Sequence, residues 1–286
     1  MARARRSWTS CLQGETEAVS ATPEELLAAG DAGAALEALQ QQVRANAADV
    51  KLRVFLFQLL ALLGQWSRAL DQLRVCGQMS AATLAMVNTY TSAVQCEGVR
   101  EAVFAGRTLP HVFGPPTEWM ALLAQAPQLD AEGRSEAAAA ARAQALEAAP
   151  PSRGTLDGAP FEWLADADSR LGPVLEVIVN GRYGWLPLAH LAAVDIEPVV
   201  DLRDLVWAPA HLVFANGGDT VALLPVRYAG TPLAEGGPLA LARQTEWLEI
   251  GGGQYRGLGQ RVLATDAAER GLLEVRRIAF ETTAAS

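Results

Sequence analysis

The chain has 286 residues, half of them hydrophobic and 19% charged, a composition that folds and is too apolar for a disordered chain. Its formal net charge of −9 repels phosphate backbones and anionic lipid heads, which sets nucleic acid and membrane surfaces aside as partners. Three cysteines, Cys11, Cys76 and Cys96, have neither the spacing of a zinc site nor the pairing of a disulfide framework, and read as idle thiols of a reducing compartment.

Residues 1–21 read as a frayed tail. Their start is basic but lacks the apolar stretch of an export signal, so a cytoplasmic location is expected. Thr22-Pro23-Glu24-Glu25 opens the first helix: Thr22 caps, Pro23 suits the first helical position and Glu25 completes a capping box. Ala, Leu, Gln and Glu dominate from there to about residue 150. Residues 30–39 align with residues 64–73, Gly, Ala, Leu and Leu coinciding, at an offset of 34 residues, the tetratricopeptide (TPR) period. Degraded copies are expected from Gly98 and Gly133. Between them, prolines and a glycine in residues 109–116 must break the helices.

Residues 54–63 are apolar on nearly all sides but too few to span a bilayer. One stripe of that helix packs on its neighbour. A second stripe, Phe55, Leu59 and Leu62, with Trp66 just beyond, is either buried within the chain or left for a partner.

Pro150-Pro151-Ser152-Arg153-Gly154 ends the helical grammar, dividing the chain into a helical domain, 22–150, and a β-rich domain, 151–286. Strands are expected at 174–179 and 182–186 around the hairpin turn Asn180-Gly181, then at 193–199, 211–215, 220–224, 246–250, 260–264 and 272–280. Residues 216–219 form a second turn, and 187–192 suit a single helical turn. The expected class is α+β: a TPR-like helical-repeat domain followed by a partly closed antiparallel sheet or small barrel.

Few residues suggest chemistry. His111, His190 and His211 lack metal-ligand spacing. The glycine-rich run 251–259 lacks the lysine and following helix of a phosphate cradle and reads as a flexible inter-strand loop. Asp166 with Asp168, and Asp201 with Asp204, could do acid–base work or bind a hard cation, but Arg170 and Arg203 beside them suggest loop-pinning ion pairs. Trp163, Trp185, Trp207 and Trp247 suit the bulk of a small β core. No cofactor is expected.

One segment fits no simple element. Asp201-Leu202-Arg203-Asp204-Leu205-Val206-Trp207-Ala208-Pro209-Ala210 reads as a structured connection held by its own side chains. Together with Asp168-Ser169-Arg170-Leu171-Gly172-Pro173-Val174-Leu175-Glu176, Ala242-Arg243-Gln244-Thr245-Glu246-Trp247 and Gly257-Leu258-Gly259-Gln260-Arg261, it resembles the ImpE/TagJ family of type VI secretion accessory proteins. The resemblance implies a non-enzymatic cytoplasmic adaptor that binds the N-terminal helix of the sheath subunit TssB and is linked to the unfoldase ClpV. It marks Asp168, Arg170, Asp201, Arg203, Asp204, Trp207, Trp247, Gln260 and Arg261 as structural motif residues. Two alternatives stand beside it: a hydrolase or metal-dependent enzyme using Asp166, Asp168, Asp201 and Asp204, and a generic peptide-binding TPR chaperone.

Overall fold

The computed structural model describes residues 21–115 and 117–281; Cys11 and all of the expected tail but Ala21 lie outside them. Seven helices come first: α1 Pro23–Ala28, α2 Ala32–Ala45, α3 Val50–Leu62, α4 Trp66–Met79, α5 Leu84–Phe104, α6 Glu118–Ala131 and α7 Ser135–Ala148. Local chemistry sets their starts. The Thr22 hydroxyl accepts from Glu25 N at 3.2 Å while Glu25 accepts from Thr22 N at 2.8 Å, and Asp31 and Asp49 cap α2 and α3. Gly30, Gly64 and Gly133 take positive φ, and α2, α4 and α7 each begin two residues later. The copy expected at Gly98 does not start there. Gly98 lies inside α5, which runs unbroken for 21 residues, because nothing in its sequence breaks a helix before Gly106. No helix among the described residues is long and apolar enough to cross a membrane.

Thirteen strands follow: β1 Gly154–Leu156, β2 Ala159–Phe161, β3 Leu164–Asp166, β4 Val174–Val179, β5 Arg182–Pro187, β6 Leu191–Ile196, β7 Trp207–Phe214, β8 Asp219–Pro225, β9 Thr245–Gly251, β10 Gln254–Gly259, β11 Val262–Thr265, β12 Glu269–Gly271 and β13 Arg277–Phe280. Eight form one antiparallel sheet in the order β2-β1-β13-β6-β7-β8-β4-β5. Its end strands β2 and β5 do not pair, so the sheet stays open and no barrel closes. β12-β11-β3 and β10-β9 make two smaller sheets. The chain is thus α+β, helices first and a mostly antiparallel sheet region after.

Several elements differ from expectation for local reasons. The segment 201–210 is only half connection: Leu202–Leu205 is a 3₁₀ turn, and Trp207 already opens β7. Pro209 is tolerated in β7 because it lies one residue past the β6 register, where its carbonyl accepts from Glu197 N at 2.9 Å and no N–H is required of it. The glycine-rich run is not a loop. Gly251 ends β9, Gly252 and Gly253 make a tight turn, all three with positive φ, and the rest is β10. Gly257 there serves close approach, since a Cβ would meet the Tyr228 ring at 2.2 Å. The run 272–280 splits into a 3₁₀ turn, Leu272–Glu274, and β13.

Apolar packing crosses the change of element type. One cluster joins Leu39, Phe57 and Leu73 of the helices to Trp185, Trp207 and Leu241. A second, including Val177, Leu186, Val194, Leu212 and Val226, lies within the sheet region. Trp185 and Trp207 are fully buried, each worth about 4–6 kcal/mol of gross hydrophobic free energy. Trp163 and Trp247, expected in the core, are instead 43% and 38% exposed: Trp247 stands on the open strand β9 and Trp163 just before the short strand β3.

Candidate functional site

Helix α5 packs on the sheet and carries two different surfaces along its length. Its N-terminal half, from Ala85 to Ser92, forms one wall of an open groove of about 680 Å³. Ala85, Thr89 and Ser92 recur at i, i+4 and i+7 and so share a face. Met86 and Tyr90 add apolar surface, and Ile178, Pro209 and Leu223 supply the sheet side. Exposed Val221, at 73%, stands at the mouth. The charged members are Glu197 and Arg203; His211 also lines the groove, its Nε2 2.8 Å from Asp219. Arg203 pairs with Asp201 and lies 4.8 Å over the Tyr90 ring, but its Nε is buried with no acceptor among the described residues.

The C-terminal half of α5 carries ions instead. Arg100 donates to Glu176 on β4 at 2.8 and 3.1 Å and to the Arg227 carbonyl at 2.6 Å. Arg261 holds Asp166 at 2.5 Å and reaches the same Glu176. Tyr183 donates to Glu176, and Trp185 Nε1 to Tyr183 at 2.9 Å. Trp207 Nε1 donates to Glu97 at 2.8 Å. Burial works against the Glu176 carboxylate, but the two guanidiniums outweigh it and hold its pKa at about 2. At Asp166 burial prevails over Arg261, and the carboxyl is pushed up to about 6. Arg227 is satisfied by carbonyls, Leu62 at 2.6 Å and Ala240 at 2.8 Å, and burial lowers its guanidinium to about 10.

The motif residues gather around this network. Asp168 holds Arg170 at 2.6 Å and accepts from Gly257 N at 3.0 Å, while Arg170 lies 4.7 Å over the Phe104 ring of α5. Asp204 caps the 3₁₀ turn by accepting from Val200 N at 3.0 Å and Asp201 N at 2.9 Å. That turn is docked on α3, where Gln58 accepts from Leu202 N at 3.1 Å. Gln260 ties Ala242 to Leu273. Trp207 packs between Trp66 and Tyr90 at 5.9 Å from each. Trp247 stands apart, 5.6 Å from Tyr228 and half exposed.

The four carboxylates of the hydrolytic alternative do not converge. Asp166 and Asp168 meet Arg261 and Arg170, Asp201 meets Arg203, and Asp204 is spent on backbone donors. Among the described residues no three His, Cys, Asp or Glu side chains could hold a metal ion together. The apolar stripe nominated for a partner is also largely covered. Leu59 and Leu62 are fully buried, and Phe55 and Trp66 are half-buried against the same cluster, because the 3₁₀ turn and Trp207 pack onto this part of the helices. Arg100 and Glu97 escaped the sequence reading. Their signal is Arg100 itself, a cation in the stripe Ala93, Cys96, Arg100 and Val103 whose spacing marks the buried face of α5.

Comparison with known proteins bears on this arrangement. Residues 158–279 match the family model described as ImpE protein. Over 274 residues the chain is 54% identical to a Pseudomonas aeruginosa protein named type VI secretion system accessory component TagJ, a match spanning 96% of this chain and 95% of that one. The chain belongs to the ImpE/TagJ family. The crystal structure of protein VPA1032 from Vibrio parahaemolyticus shares its fold, with a TM-score of 0.84 at 21% identity over 92% of this chain and 98% of that one. All four segments of the resemblance fall inside the ImpE stretch. The helical partners that Arg170, Arg203 and Glu176 meet, namely Phe104, Tyr90 and Arg100, lie outside it.

Proposed function

We propose that this chain is a non-enzymatic accessory protein of type VI secretion, an adaptor that receives the N-terminal helix of the sheath subunit TssB in the groove between α5 and the sheet. On this reading the helix pairs act as a TPR-like scaffold, the protein works in the bacterial cytoplasm, and the sheath subunit is its link to the unfoldase ClpV. The name of the Pseudomonas aeruginosa relative supports the secretion role. The observation that carries the binding role is the groove itself: an apolar floor with an open mouth, next to a buried Arg203 Nε that lacks an acceptor among the described residues. The stretch of α5 along it is about 10 Å, two turns of helix, and such a groove suits an amphipathic helix read through i, i+3/i+4 and i+7 anchors. Arg203 is suited to a carbonyl or carboxylate of the incoming helix.

Fluorescence anisotropy with a labelled peptide of the TssB N-terminal segment tests this. The expected dissociation constant is micromolar, and Met86→Glu should weaken it at least tenfold, about 1.4 kcal/mol. Folded protein that fails to bind at tens of micromolar would refute the reading.

A further inference from the structure

The strand β9 carries a feature that the groove does not use. Among the described residues it pairs only with β10, and no other hydrogen bond reaches the main chain of residues 246–250, although helix α7 packs near the strand. The other strand ends are guarded. Along β5, Trp185 exchanges hydrogen bonds with His111 and Phe113 at 2.8 and 2.9 Å. β10 is covered on its far side by Ser169 and Tyr228, while β2, β3 and β12 have three residues each. β9 has seven residues and no proline, no described segment hydrogen-bonds to its free edge, and five of the seven residues are exposed. Proteins normally blunt such an edge, because its unpaired N–H and C=O groups will accept another strand.

We infer that β9 is an addition site for an extended segment of a second protein, in which a basic residue, two apolar residues and a second basic residue follow one another. Charge and alternation fix that chemistry. Glu246 and Glu249 make no ion pair among the described residues; Glu246 accepts only from the Gln244 amide at 3.1 Å. Strand alternation puts Glu249 beside Trp247 on one face and Glu246 beside Leu248 on the other. Trp247 and Leu248 are 38% and 40% exposed. A strand laid along this edge sets its side chains opposite Glu249, Leu248, Trp247 and Glu246 in turn, so complementary pairs require basic, apolar, apolar, basic. The pattern reads the same in both directions, so a parallel and an antiparallel guest meet one requirement. A second copy of this chain brings the same glutamates and a further net charge of −9, which opposes self-pairing. Main-chain bonds would supply affinity and the alternating side chains selectivity, as in strand addition generally.

The test uses the full chain and two threonine-rich synthetic peptides, one centred on Lys-Val-Val-Lys and the other on Glu-Val-Val-Glu. Amide hydrogen exchange over residues 245–251 should slow with the basic peptide and not with the acidic one. Two cross-strand charge pairs make roughly a fivefold preference in affinity. The double variant E246K/E249K, with both changes on exposed side chains, should keep its thermal midpoint and reverse the preference. No slowing with either peptide overturns the inference, leaving the glutamates as guards of a closed edge. Concentration-dependent protection without peptide, with a dimer in sedimentation, overturns it in favour of a second copy.

Discussion

At the scale of residues, the ionic cluster around Glu176 decides how the molecule responds to acid and to truncation. Glu176 is held at about 2 when folded against a usual 4.5, so the stability it contributes is full above about pH 4.5 and is lost as pH falls through 2. Asp166 runs the other way. Raised from 3.8 to about 6, it contributes stability that is present below pH 3.8 and lost as pH rises through 6. Asp166→Asn should therefore flatten the decline between about pH 4 and 6, and Glu176→Gln should flatten the acid limb, both read from urea unfolding across pH. Arg261→Ala should cost about 3–5 kcal/mol at neutral pH, because it leaves Asp166 and Glu176 buried without that partner.

The elements show where sequence grammar suffices and where it fails. The hairpin β4–β5 was legible because Asn180-Gly181 takes positive φ at both residues, as a two-residue hairpin turn requires. So was the start of α1, whose capping box is wholly local. The stretch 251–259 was misread because glycine looks the same whether it loosens a chain or lets a ring approach. Only the fold reveals that Tyr228 lies over Gly257, a partner 29 residues away in sequence. The pairing of Arg100 with Glu176, 76 residues apart, was likewise out of reach of any local pattern. Trp207 heads β7 and fills the space between Trp66 and Tyr90, so Trp207→Ala should destabilise the protein by about 3–5 kcal/mol, measured by chemical denaturation.

Across the whole molecule, helices and strands share one apolar cluster and one ionic cluster. The return contacts extend to the first helix, where Arg243 donates to the Leu27 and Ala28 carbonyls at 3.0 and 3.2 Å. Heating should therefore melt the chain in a single calorimetric transition rather than one for residues 22–150 and another for 151–286. Two resolved transitions would contradict this. Expressed alone, residues 151–286 should aggregate, since Trp185, Trp207 and Leu241 would lose the helices that cover them.

The order of strands in the large sheet has a bearing on how the molecule is made. β13, the last strand among the described residues, lies between β1 and β6. Until the ribosome has released residues 277–280, β1 and β2 have no place to attach and the sheet ends at β6. A nascent chain that has not yet delivered residues 277–280 therefore carries an unfinished, sticky strand border, and that is the stage at which holding chaperones would matter most for its yield.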